Sequence, residues 1–291
     1  MKDSRNKGRL LIIATALLWA LAGVCVKSIT WGTMDIVCAR SLISLIILFI
    51  AKGSFKLKFT KTNILCGVMI MLTGILYVGA IKLTTAGTAI ILQYIAPILV
   101  FLYEVIFKGR KARTSEAVIT LCVFAGCVLS FADSIDMTHV LGNFLALLSG
   151  FTFAAEIIIM NGEGSDSVDS TIFGNGFSFI VCLPFFIHDI PGLPFDATNI
   201  TWVLILSVFQ FGLANLLFAK GCKLIDSVEC SLLLTIEPIF NPIPVAVICG
   251  ERMGNLSLLG AAVVIMSITM YTLNPRIEER RTAGKAKKNA G

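Results

Sequence analysis

The segment Leu233-Leu234-Thr235-Ile236-Glu237-Pro238, with Gly250-Glu251-Arg252 twelve residues beyond it, decides the fold. It lies in an apolar run over 227–249. About 20 apolar residues suffice to cross the hydrocarbon of a bilayer as a helix. Proline inside such a helix removes a backbone hydrogen bond. A carboxylate at its centre costs roughly 2.5–3.5 kcal/mol on insertion scales. A chain that sets both at one depth has a use for a broken, polar spot.

The pattern occurs twice. Ile95-Ala96-Pro97-Ile98 returns as Ile236-Glu237-Pro238-Ile239, Lys82-Leu83 as Lys223-Leu224, and Gly109 as Gly250, all at one offset of 141 residues. Gly8-Arg9-Leu10-Leu11 echoes Gly142-Asn143-Phe144-Leu145, and Trp19-Ala20 echoes Phe153-Ala154, at an offset near 134. Glycine, proline and leucine are common in membrane helices, so the shared register carries the argument for a duplicated half. The change of offset places an insertion of seven residues in a loop.

Composition sets the class. The chain is 56% hydrophobic and 14% charged, with a mean hydropathy of +0.88, whereas soluble domains carry about 25% charge. Ten apolar runs follow one another: 10–28, 33–51, 62–82, 84–107, 115–132, 141–160, 171–188, 199–220, 227–249 and 254–273. The first is too long for the apolar core of a signal peptide, and no small-residue cleavage site follows it, so it reads as a retained helix. The net charge of +6 does not mark a nucleic-acid surface. Of the 24 Lys and Arg, twenty fall on one set of alternate loops and tails, and only Lys27, Lys82 and Arg252 on the other. That bias puts both termini in the cytoplasm of a multi-pass protein of the cell membrane.

The expected fold is therefore all-α and integral to the membrane, with ten transmembrane helices as two inverted five-helix repeats. The repeats are expected over residues 1–137 and 138–275, before a basic cytoplasmic tail, 276–291. Five helices per repeat is an odd number, so the halves insert with opposite orientation, as in many secondary transporters.

These residues resemble the drug/metabolite transporter superfamily, specifically its ten-helix EamA-type branch. The marks are Leu17-Leu18-Trp19-Ala20 in the first helix, Arg40 in the second, the Pro97 helix, and Glu237-Pro238 running on to Gly250-Glu251-Arg252. The resemblance spans roughly residues 8–274. One departure is Lys108-Gly109-Arg110-Lys111, where such families often carry Gly-Glu-Arg; it makes the Gly250-Glu251-Arg252 pair an interfacial structural feature. The resemblance implies export or exchange of a small metabolite, such as an amino acid or amine, by alternating access. A passive channel, a membrane enzyme and a lipid-handling scaffold are the rival readings.

Glu237 leads the candidate residues, as a proton-coupling group or a counter-charge for an amine, because intramembrane acids are functional by default. Glu156 is second, in the helix that matches the Trp19 helix. Trp19, Tyr77, Gln93, Tyr94, Gln210 and Asn215 are polar or aromatic groups at mid-helix depth. Gln93 and Tyr94 sit one turn before Pro97, where unwinding is expected. Pro97 and Pro238 mark breaks. Arg40 reads either as a clamp for a substrate carboxylate or as a lock between helices through backbone carbonyls or a buried acid, and the resemblance implies a peripheral second helix and hence the lock. Glu104 and Glu229 sit near inner helix ends and read as structural, with Lys108 in reach of Glu104 at i,i+4.

His139 and His188 lack ligand spacing, so no metal is expected. The nine cysteines contain no CxxC pair and read as small buried hydrophobes. No phosphate-binding glycine loop occurs, so no nucleotide drive and no cofactor are expected. The protein is not expected to be an enzyme; its expected partners are a small-molecule substrate, protons and membrane lipid, with no nucleic acid.

Overall fold

A computed structural model describes residues 2–110, 114–130, 138–241 and 255–273. The described residues are helical, joined by short loops. In order they form α1 (Lys2–Trp19), α2 (Ala22–Ser28), α3 (Thr33–Lys52), α4 (Lys61–Leu83), α5 (Ala86–Gln93), α6 (Ala96–Ile106) and α7 (Thr114–Ser130). Then come α8 (Val140–Asn161), α9 (Ser167–Asp189), α10 (Ala197–Ile205), a π-helical segment Leu206–Leu213 and α11 (Ala214–Cys222). Helices α12 (Ser227–Leu234), α13 (Ile236–Phe240) and α14 (Asn255–Leu273) complete the described chain. Gly250-Glu251-Arg252, the end of the 227–249 run and the basic tail lie outside the described residues.

Among the described residues, seven continuous or interrupted helices are long and apolar enough to cross a membrane, from Asp3–Ser28 to Ala197–Cys222. Two shorter apolar helices, Thr114–Leu129 and Leu258–Tyr271, accompany them. Their starts are written in the loops. The side chains of Thr60, Thr85, Asp166, Asp196 and Asp226 each accept a hydrogen bond from the backbone amide three residues on. Such caps satisfy amides that have no helical acceptor. Gly53, at φ 64°, closes α3 in the left-handed region that glycine adopts without strain.

Packing pairs distant parts of the chain. Helix α4 lies against α8 and α9; in the matching positions α11 and the π segment lie against α1 and α3. Helix α3 crosses α9, and α7 packs on α14. One apolar core gathers Ile12, Trp19, Tyr94, Phe153 and Phe218, and a second gathers Trp31, Ile36, Tyr77 and Leu206. Side chains such as Ile50, Ile180, Phe209 and Met270 face outward, which suits a lipid surroundings rather than water.

Candidate functional site

Three interruptions in the helices shape the centre of the molecule. Between α5 and α6 the helix opens at Tyr94–Ile95, and between α12 and α13 it opens at Thr235. Tyr94 and Thr235 are 141 positions apart, the offset of the duplicated motif. Pro97 and Pro238 follow these breaks and lack the N–H that would reach the carbonyl four residues back, at Gln93 and Leu234. The surroundings of the two carbonyls differ. Helix α8 approaches Gln93 so closely that a Cβ on Gly150 would lie 2.7 Å from its carbonyl oxygen. The Leu234 carbonyl lies 2.7 Å from the Tyr94 hydroxyl, which substitutes for the missing amide. The third break, at Ala20–Leu21 between α1 and α2, is held by Asn241, whose Nδ2 donates to the Ala20 carbonyl at 3.0 Å.

The Tyr94 oxygen also lies 2.7 Å from Glu237 Oε2. One hydroxyl hydrogen thus faces two acceptors. When Glu237 is charged, it competes with Leu234 for that hydrogen. When Glu237 carries a proton, its own O–H donates to the Tyr94 oxygen, and both bonds are made at once. The protonation of Glu237 is therefore tied to the bond that bridges the break.

A cavity of about 520 Å³, counting its mouth, lies between the breaks and is bounded by Trp19, Arg40, Tyr77, Gln93, Glu156, Gln210, Asn215 and Glu237. Eight of the residues singled out from the sequence meet here. Tyr94 stands behind the wall, buried against Glu237, while Pro97 and Pro238 set the breaks without facing the cavity. Ile70, Gly74, Phe153 and Phe211 also line it and had no polar or charged signal to single them out, and Thr73, a mid-helix hydroxyl, lines it without having been singled out. Phe153 was visible only as the echo of Trp19, and the two rings meet edge to face with centroids 5.7 Å apart. The π segment widens the turn that presents Gln210 and Phe211, a device common at functional sites.

Arg40 departs from the expected lock. It is 3% exposed, its guanidinium carbon lies 3.8 Å above the centre of the Phe211 ring, and its Nε and Nη2 have no hydrogen-bond partner among the described residues. Gly74 of α4 makes the space for it, because a Cβ there would lie 2.7 Å from Nη2. The gap at Gly74 thus holds a side chain rather than a neighbouring helix. Gln210 Oε1 is likewise without a partner among the described residues. Burying an unpaired ion costs several kcal/mol even after relaxation.

Several other charged side chains are paired. Glu229, fully buried, accepts from Arg9 Nε at 2.7 Å and from Arg5 Nε at 3.1 Å. Lys108 and Glu104 meet at 2.8 Å as their spacing predicts. Lys52 pairs with Asp169, and Lys58 with Asp166 at 3.1 Å. Among the described residues no group of three or more His, Cys, Asp or Glu is placed to hold a metal.

The sequence model of the EamA-like transporter family matches residues 6–132 and again 140–273. The chain belongs to the EamA-like transporter family. Two similar curated proteins are named transporters. An uncharacterized transporter, YxxF, of Bacillus subtilis is 23% identical over 234 residues, covering 76% of this chain and 74% of its own. An uncharacterized transporter of Archaeoglobus fulgidus is 22% identical over 269 residues, covering 90% and 94%. A crystal structure of a protein at 17% identity superposes with a TM-score of 0.76 over 92% of this chain and 98% of its own, and so shares the fold. The cavity between the broken helices offers one cation, two acids, three amides and a set of aromatic faces.

Proposed function

We propose that this EamA-like protein is a secondary transporter that moves an amino acid, an amine or a similar small solute by alternating access, as an exporter or exchanger. The two matched stretches act as two five-helix halves with opposite orientation, and both termini lie on the cytoplasmic side of the cell membrane. The cavity bounded by residues from both halves is the solute site, and the helix breaks are where the walls move.

The observation that carries this reading is the place of Glu237. It faces the cavity and shares a hydroxyl with the carbonyl exposed by Pro238. Solute, proton and hinge therefore meet at one side chain, which is what coupling requires: the ligand must interact differently with two states of the protein. Glu156, on the facing helix α8, is the second acid of the same wall and a second counter-charge for an ammonium group.

Counterflow in proteoliposomes tests the reading. Saturable exchange of labelled amino acids or amines is expected, with accumulation driven by a pH gradient. Glu237→Gln is expected to abolish the response to the gradient. Flux without saturation or counterflow would point to a channel, and a variant that follows the gradient as wild type does would remove Glu237 from coupling.

A further inference from the structure

Arg40 is the buried cation of the cavity wall. It bonds to no carbonyl and no acid of the described residues; two of its nitrogens are sealed from solvent without partners, and it stacks on Phe211 in the cavity wall. Both acids of the cavity, Glu156 and Glu237, stand apart from it. Gly74 clears the room it occupies, at a position where any side chain would collide with Nη2. A buried guanidinium held ready in this way lacks one thing, an anion. The planar fork of arginine suits a carboxylate, which can take two parallel hydrogen bonds from it.

We propose that Arg40 is the anion-binding subsite of the cavity, so that the transported solute must carry a carboxylate and simple amines are excluded. This rests on the reading of the cavity as the solute site and narrows it. The ligand's carboxylate occupies the guanidinium, any ammonium group it carries lies toward Glu156 and Glu237, and its remaining bulk lies among Trp19, Tyr77, Phe153 and Phe211. That arrangement gives every unpaired charge in the wall a partner supplied by the solute itself.

The test uses matched probes on the full-length protein: L-phenylalanine, 3-phenylpropionate and phenethylamine, with alanine, propionate and ethylamine as a small set. Binding is read as ligand-induced thermal stabilisation and transport as counterflow. The two carboxylates of at least one set are expected to bind, and the matching amine to bind at least tenfold more weakly. Arg40→Gln is expected to lose carboxylate binding while the melting temperature without ligand stays the same or rises, because an uncompensated buried charge has been removed. A helix-locking arginine would instead lower it. Gly74→Ala, which pushes the guanidinium aside without removing it, is expected to weaken carboxylate binding in the same direction. Exchange of amines without carboxylates overturns the role of Arg40 and leaves the transporter reading standing. Carboxylate binding that survives Arg40→Gln overturns it as well. If no probe binds or exchanges, both the subsite and the solute class fall.

Discussion

At the scale of single residues, the decisive group is the Tyr94 hydroxyl. It reaches across 140 positions of sequence to the Leu234 carbonyl, and it touches Glu237 with the same oxygen. Tyr94→Phe keeps the ring and removes only that oxygen. The Leu234 carbonyl is then left buried and unbonded, which costs about 1–3 kcal/mol, so a lower melting temperature is expected in detergent. The variant also separates Glu237 from the break, so pH-driven accumulation should fall more than counterflow does. Equal loss of both would show that Tyr94 supports the wall alone. The sequence made Tyr94 a candidate through its place before Pro97, but it gave no hint that the hydroxyl serves the other proline. Likewise Arg40 was legible as a charge within an apolar run, while its lack of partners was not. That depends on Gly74, on a different helix, and on acids whose distances no spacing encodes.

At the scale of elements, the breaks at Tyr94–Ile95 and Thr235 were legible because proline leaves a carbonyl unbonded whatever surrounds it. The π segment Leu206–Leu213, which packs against α3, was not, because no proline marks it. The break between α1 and α2 has no proline either, and its carbonyl is met by Asn241 from far along the chain. Helix α1 is tied at its first turns as well as at its break. Arg5 and Arg9, one turn apart, both bond the fully buried Glu229 at the start of α12. With the termini in the cytoplasm, as proposed, this latch closes the inner ends of α1 and α12. Removing one partner of a buried ion pair strands the others and typically costs about 3–5 kcal/mol. Glu229→Gln is therefore expected to destabilise the closed inner end more than Arg5→Gln does, since the latter leaves Arg9 in place. Cysteine labelling of inner cavity residues from the cytoplasmic side should rise in that order. A uniform loss of stability with unchanged labelling would make the latch a fold element rather than a gate.

At the scale of the whole molecule, the ion pairs described between separate elements gather at the ends that the charge bias assigns to the cytoplasm, in Arg5 and Arg9 with Glu229, Lys52 with Asp169, and Lys58 with Asp166. Burial alone would push the Asp166 carboxyl up, but the Lys58 ammonium and the Asp169 amide outweigh it and hold the group below the usual carboxylate range. A depressed acid stabilises the fold above its ordinary value and loses that contribution as pH falls through the depressed one. Asp166→Asn should therefore lower stability at neutral pH and flatten its acid dependence.

A pair of asparagines ties the halves to one another. Asn63 in α4 and Asn199 in α10 are 136 positions apart, and neither was singled out from the sequence. Each donates from Nδ2 to its own helix entrance, to the Lys58 carbonyl at 2.8 Å and to Asp196 Oδ2 at 2.6 Å. Each accepts at Oδ1 from the other half. Asn63 takes the Asp166 amide at 2.8 Å and the Ser170 hydroxyl at 3.2 Å; Asn199 takes the Thr30 amide at 2.8 Å and the Thr30 hydroxyl at 3.2 Å. The same linkage is thus made twice, crossed between halves. Polar side chains at helix entrances look like ordinary caps in a sequence, so this repeat stayed hidden behind the apolar one. Either Asn→Ala change leaves an amide from the opposite half without its acceptor, at about 1–3 kcal/mol. The sites share no partner, so the two losses should add to within about 0.5 kcal/mol, as read from denaturant unfolding in detergent. A double variant much less stable than that sum would mean that the two linkages are made cooperatively, each holding the halves in the arrangement that the other needs.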